Sequence, residues 1–427
     1  MTKSVLLCSV LLLLVPAGAG AQAQQSEKET TEARLKALEE QVRALQTLVE
    51  SLRAAAEEAK VAPPPPGATI APLISGGTAP VNAPGEGGAS LPVYGGAPMG
   101  AKLLNPDISA IGDVLGSVGK NKVRPVPLFE LHEMEVGLQA IIDPYARGDV
   151  FISFGETGVS VEEAYMTFTS LPGGFVARAG KMRAAFGQVN TIHNHALPTI
   201  ERPLVTENLV GGEDGIDDTG ISVTRILPAP KGLFLEGTGQ VFRGDSGDVS
   251  TSPLFTSSRR RDASVVGHLR AFRDLTDSTN LDLGFSYARG HNDLGDPFIT
   301  QLFGIDTTYR WRPLRRAIYN SFLFRNEFVW SHREQVANLQ RAFGLYSFAE
   351  YRLNRRWTVA GRFDRSGRSR FSSLTDTGFS TILTYWPSEF AQIRGQYRYT
   401  RYAQQGDANE LRFQFLYVLG AHGAHPF

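Results

Sequence analysis

Arginines and carboxylates alternate with apolar residues through most of this chain. Arg270, Arg310, Arg312, Arg325, Arg362, Arg394 and Arg398 fall on the polar positions of their segments, and Glu236, Asp306, Glu327 and Asp364 supply the opposite charge. Forked guanidinium donors can replace part of the hydration shell of a small anion or a phosphate-like solute. The competing reading pairs these charges across a wall, where they only keep an interior wet. His193 with His195, and His422 with His425, are spaced to put two imidazoles on one metal. No third ligand is evident, so solvent-facing loop histidines are expected, with no metal and no other cofactor. Gly244-Asp245-Ser246-Gly247 looks like the surroundings of a nucleophilic serine, but the cysteines and histidine motif that accompany it there are missing. A loop turn is expected instead. Neither a Gly-rich phosphate loop nor an HExxH motif occurs, so no catalytic residue is expected and the chain is read as a non-enzyme.

The elements that carry these residues are short alternating segments. Leu281, Leu283, Phe285 and Tyr287 face one way with Asp282, Gly284 and Ser286 the other, and Leu411, Phe413, Phe415, Tyr417 and Leu419 form one row while Arg412 and Gln414 point away from it. Two segments, Val161 to Phe168 and Phe343 to Leu353, carry apolar residues on both registers. Connections alternate between tight turns such as Asp143-Pro144-Tyr145, Leu171-Pro172-Gly173 and Pro313 to Arg315 and longer polar loops, the longest from Arg183 to Asp218. Backbone polar groups in a bilayer must be paired within the protein, so a span built of strands has to close. The pattern predicts an all-β fold, a transmembrane antiparallel barrel of about sixteen strands over 105–427, with apolar rows outward and polar rows lining the lumen. A soluble propeller or sandwich would have to fill one very large interior with those apolar rows.

Residues 1–23 read as a signal peptide: Lys3, an apolar run from Val5 to Val15, then small residues to Ala23. The one cysteine, Cys8, lies in that run, so the mature chain has no disulfide, CxxC site or thiolate zinc site. Residues 27–60 carry a heptad pattern, with Leu35, Val42, Val49 and Ala56 at one core position and Thr31, Leu38, Leu45, Leu52 and Ala59 at the other. This predicts a left-handed α-helical coiled coil, hence a homo-oligomer, with dimer and trimer both open and trimer favoured. Residues 61–104 are rich in Pro, Gly and Ala and predict a disordered linker. Lys and Arg total 43, as do Asp and Glu. Zero net charge argues against a nucleic-acid partner.

Asn105 to Asp113, the stretch Gly180-Lys181-Met182-Arg183-Ala184-Ala185-Phe186-Gly187 with His193, His195 and Pro198 to Pro203, and the ending Ala424-His425-Pro426-Phe427 resemble a family of Gram-negative outer-membrane proteins similar to the phosphate-selective porins. Some of its members are labelled zinc-regulated TonB-dependent receptors. The resemblance implies an outer-membrane location, passive diffusion of small hydrophilic solutes, and a loop folded into the lumen. Arg183, His193, His195, Glu201 and Arg202 of the longest loop are then the expected constriction. Phe427 is the expected signal for the barrel-insertion machinery. Outer-membrane lipid and lipopolysaccharide are the expected surroundings, with Arg259, Arg260 and Arg261 suited to lipopolysaccharide phosphates. The alternatives are an outer-membrane anchor whose periplasmic coiled coil contacts the cell wall, and a metal- or ligand-specific receptor.

Overall fold

The computed structural model describes Arg43 and residues 106–156, 158–248, 253–403 and 406–420. The expected signal peptide and linker lie outside these residues, as do the coiled coil apart from Arg43, and His422, His425 and Phe427.

Alternation of apolar and polar side chains produces sixteen strands: β1 (Asp107–Lys120), β2 (Phe129–Asp143), β3 (Ala146–Gly155), β4 (Gly158–Leu171), β5 (Phe175–Arg183), β6 (Asp217–Leu227), β7 (Leu233–Phe242) and β8 (Ser264–Thr276), then β9 (Thr279–His291), β10 (Ile299–Trp311), β11 (Ser321–Glu334), β12 (Leu339–Arg352), β13 (Trp357–Gly367), β14 (Thr375–Ser388), β15 (Ala391–Tyr402) and β16 (Gly406–Gly420). Each pairs antiparallel with the next, and β1 pairs with β16 from Ser109 opposite Gly420 to Lys120 opposite Asn409. The sheet therefore closes and has no edge of unpaired backbone groups. The turn expected at Pro313 to Arg315 is longer than anticipated: Arg316 N–H bonds Pro313 O and Asn320 N–H bonds Arg316 O, so β11 starts at Ser321.

The two faces of the wall differ as the pattern requires. In β16, Leu411, Phe413 and Phe415 are 41%, 47% and 45% exposed while Arg412 and Gln414 are 9% and 1%. In β15, Gln392, Arg394, Gln396, Arg398 and Thr400 face inward, and Ile393, Tyr397 and Tyr399 outward. An apolar exterior around a polar interior suits lipid outside and water within.

The two ambiguous segments have different causes. In β4, Phe151 of β3 pairs with Glu163 but the next residue, Ile152, pairs with Val161, leaving Glu162 as an extra residue. β2 does the same against β1, where Asp113 pairs with Glu133 and Val114 with Leu131, leaving His132 extra. A bulge reverses parity, so adjacent residues share a face. Here it turns Glu162 with Glu163, and His132 with Glu133, into the interior. In β12 the alternation is regular, but the inward residues Ala342, Tyr346 and Phe348 are themselves apolar because a folded loop packs on them. One wall of the interior is thus oily, where the pattern predicts polar rows lining the lumen.

Candidate functional site

That loop is the segment between β5 and β6, and it runs inside the barrel. Ala184 N–H bonds Ile216 O at 2.8 Å across its neck, and the Asn190 side chain completes the closure by donating to Ala184 O (2.9 Å) and Ile216 O (3.0 Å) and accepting from Ile216 N–H (2.8 Å). The chain turns inward at Gly187, whose φ is +59° and where a Cβ would stand 2.0 Å from Glu327 Oε1. Only glycine meets both conditions. A short helix, α1 (Leu204–Leu209), follows two 3₁₀ turns at Val189–Thr191 and Asn194–Ala196. Phe186, Val189, Leu197, Val205 and Leu209 pack against Leu302, Val329, Tyr346, Phe348 and Ile382 of the wall. Full burial of such side chains stabilises by about 1.5–3 kcal/mol each.

Buried loop amides need acceptors, and inward-facing wall side chains supply them. Gly187 N–H bonds Ser286 Oγ (2.9 Å), Ile200 N–H bonds Gln396 Oε1 (3.0 Å) and Leu204 N–H bonds Asp364 Oδ1 (3.1 Å). Glu327, expected to line a pore, accepts from Val189 N–H at 3.5 Å.

Two charged junctions fix the loop laterally. At one, Glu201 accepts from Arg362 Nη2 (2.9 Å), Arg412 Nη1 (3.1 Å) and Gln396 Nε2 (2.5 Å), with Arg398 Nε at 3.5 Å. Burial by itself pushes the Glu201 carboxyl up, but Arg398, Arg362 and Arg412 override it and hold it down at about 2. At the other, His193 Nδ1 lies 2.5 Å from Glu135 and its Nε2 2.8 Å from Glu163, while His195 Nδ1 lies 2.9 Å from Glu133. Burial pulls the His193 imidazole down, but its bonds to Glu135 and Glu163 carry it up to about 10. Arg183 adjoins this junction, bonding Glu162 (3.1 Å) and Asp214 O (2.9 Å).

These positions revise the sequence reading residue by residue. His193 and His195 are 2% and 1% exposed, so they are not solvent-facing; their acceptors come from β2 and β4, far away in sequence. Arg202 belongs to the constriction loop but is buried there, and its Nε, Nη1 and Nη2 bond the loop itself at Asn194 Oδ1, Val189 O and Ile192 O. Arg362 is consumed by Asp364 (2.7 Å), Thr199 Oγ1 (2.6 Å) and Glu201. Arg394 bonds Gln414 (2.7 Å). Arg270 is held by Asp282 (2.5 Å), with Arg310 3.6 Å from the same carboxylate. Arg325 is half-buried under the loop beside Tyr346 and Arg362. Arg312 is exposed beyond the end of β10. Of the Arg259 to Arg261 run, Arg259 and Arg261 face Asp296. Sequence reasoning misses Glu133, Glu135, Glu162 and Glu163, and sets Arg412 off the apolar row without giving it a partner. Glu at alternate positions of β2, and a Glu pair in β4, were the available signals.

Between the loop and the rim on its side lies a cavity of about 650 Å³, bounded by Arg124, Glu201, Glu207, Arg398, Arg412 and Glu410. It is a mouth in which both signs of charge reach solvent, with Arg124 paired to Glu207.

No protein-family model matches the chain. A protein of Aquifex aeolicus (strain VF5) described as "Uncharacterized protein" is 27% identical over 396 residues, 79% of this chain and 83% of the relative. Among solved structures, the anion-selective porin from Comamonas acidovorans superposes with a TM-score of 0.52 at 9% identity, covering 74% of this chain and 99% of the porin. A loop L8 deletion mutant of the outer-membrane protein OmpT of Vibrio cholerae gives 0.51 at 10% identity, covering 74% and 99%. The outer-membrane channel DcaP of Acinetobacter baumannii gives 0.50 at 10% identity, covering 74% and 96%. At such identities the likeness speaks to the fold. The described chain has the fold of the porin-like outer-membrane β-barrels.

Proposed function

We propose that this chain is an outer-membrane channel for passive diffusion of small hydrophilic solutes, narrowed by the loop between β5 and β6. The observation that carries the reading is the polar inner wall with a loop moored across it on named side chains. A loop held at so many points keeps its position, and a fixed constriction selects by size and charge. Anion preference would arise at the mouth, where Arg398 and Arg412 border the cavity; the similar barrel from Comamonas acidovorans is an anion-selective porin. Trimer assembly through the N-terminal heptads belongs to the same reading, with the coiled coil periplasmic; OmpT of Vibrio cholerae has been solved in a trimer form.

A second reading, a barrel that chiefly anchors the coiled coil to the cell wall, draws on the apolar packing between loop and wall. Planar-bilayer recording on the purified full chain separates the two. A steady ohmic conductance is expected. A folded barrel without conductance would sink the channel and favour the anchor. Reversal potential across a salt gradient, on wild type and on Arg394→Ala with Arg398→Ala, tests selectivity; unchanged anion preference in the double variant would remove these arginines from the selecting site.

A further inference from the structure

We propose that the junction of the loop with β2 and β4 is a binding site for one divalent first-row transition-metal ion, with His193, His195 and Glu135 as ligands and Glu133 and Glu162 within reach. The site stands on the geometry of the junction, independently of whether the barrel conducts.

One imidazole nitrogen of each of His193 and His195 and a carboxylate oxygen of Glu135 lie within 4.8 Å of one another. Glu135 Oε2 is 3.8 Å from His195 Nδ1, and Glu162 Oε2 is 3.6 Å from His193 Nδ1. Metal–nitrogen and metal–oxygen bonds of about 2.0–2.2 Å in a tetrahedron separate ligand atoms by about 3.4 Å. Those two separations are already close to this, and the His193–Glu135 contact of 2.5 Å would open by about 1 Å.

A second feature is independent of these distances. The far nitrogen of His193, Nε2, is 2.8 Å from Glu163 Oε2. A metal-binding imidazole characteristically donates its other N–H to a carboxylate, which fixes the tautomer and aims the free lone pair. Glu163 would do this here, turning Nδ1 toward Glu135. The third feature is the backbone. Two bulges, at His132 and Glu162, each reverse strand parity beside this junction, so that His132 turns inward with Glu133 and Glu162 with Glu163. Bulges re-aim side chains, and they cost ladder hydrogen bonds that a plain wall would keep.

Charge completes the argument. Glu133, Glu135 and Glu163 are all buried, and Glu162 is bonded to Arg183. Buried carboxylates require cations. A proton on each imidazole supplies two positive charges, and one divalent ion with neutral imidazoles supplies the same two. The exchange leaves the net charge unchanged. Imidazole with carboxylate favours zinc, cobalt, nickel or iron(II) over magnesium and calcium. The bound ion would clip the loop to the wall and set the width of the constriction.

The test is a Co²⁺ titration of the purified full chain, made without a histidine tag and stripped with EDTA, read by visible absorption and by competition with Zn²⁺. One equivalent is expected, displaced by Zn²⁺ and unaffected by equimolar Mg²⁺. His193→Ala with His195→Ala should weaken binding at least about 100-fold, and Glu135→Gln about 10–100-fold. His422→Ala with His425→Ala should keep the equivalent. Heat-modifiable migration on gels reports whether each variant is folded, and Glu135→Gln decides if the double histidine variant does not fold. A folded wild type that takes up neither ion overturns the proposal. So does binding that survives folded Glu135→Gln undiminished, or that is lost with the terminal histidines.

Discussion

The loop is moored at two places of opposite chemistry. At Glu201 the loop brings one carboxylate into guanidinium groups from β13, β15 and β16. At His193 and His195 it brings two imidazoles into carboxylates from β2 and β4. The wall is therefore divided, basic on one side of the loop and acidic on the other. Guanidinium is permanently charged and offers its donors in a rigid fork, so the first mooring is fixed in charge and geometry. The second depends on which cation occupies it. Both use wall charges that alternation alone would assign to a passing solute. Of the arginine ladder, Arg362 and Arg398 hold the loop and Arg270, Arg310 and Arg394 pair within the wall, while Arg398 also borders the mouth.

The comparison predicts unequal tolerance. Glu201→Ala leaves Arg362, Arg398 and Arg412 without their shared carboxylate, and breaking a buried pair from one side costs about 3–5 kcal/mol. We expect a several-fold rise in single-channel conductance, stronger anion preference, and new protease cleavage within 184–216. Unchanged conductance with intact protease resistance would show that Glu201 does not hold the loop.

Acid should loosen the same mooring in the wild type. The folded Glu201 carboxyl titrates at about 2, against an ordinary value of 4.5. A depressed folded value means that the stabilisation is fully present above 4.5 and is lost as pH falls toward 2. The groups facing it are Arg362, Arg398 and Arg412, with Gln396 as a neutral donor. Conductance recorded from pH 6 down to pH 2 should rise and become noisier below about 4.5, and Glu201→Gln should abolish that step. An identical acid profile in the variant would assign the transition elsewhere.

Gly187→Ala tests the entry of the loop rather than its moorings. The new methyl would meet Glu327 in a left-handed backbone conformation, at about 1–3 kcal/mol. A lower thermal midpoint for loop release, read by protease susceptibility on heating, is expected, with both moorings still formed.

Much of this fold was legible from period-2 alternation, because one face of each strand meets lipid or apolar surface along its whole length. β9 and β16 carry the alternation most plainly. What stayed hidden was local and long-range together. A bulge such as Glu162 reverses parity and looks like noise in a pattern. β12 looked two-faced because Tyr346 and Phe348 pack on a loop whose inward course is a tertiary fact. The histidines were misplaced for the same reason: their acceptors lie 58 and 30 residues away for His193, and nothing local announces them. The length of the loop and its place between β5 and β6 did show, but the partners of its charges did not.

Arg312→Ala carries the smallest expected effect and bounds the whole comparison. Period-2 parity put Arg312 with Arg310 in one lumen-facing set, yet the strand ends at Trp311 and Arg312 lies exposed in the following turn. Its backbone N–H bonds Ser278 O at 2.7 Å, a link that the alanine keeps. Exposed substitutions away from packing or buried charge change stability by less than about 0.5 kcal/mol. Its charge is screened within about 8 Å at physiological salt, so it can act on ions only at the turn-side opening. Conductance and reversal potential in 0.15 M salt should match wild type, while at 10 mM salt, where screening reaches about 30 Å, a small loss of anion preference should appear. A change at high salt as large as that in Glu201→Ala would mean that selection occurs at the turn-side opening, and that the two moorings set only the position of the loop.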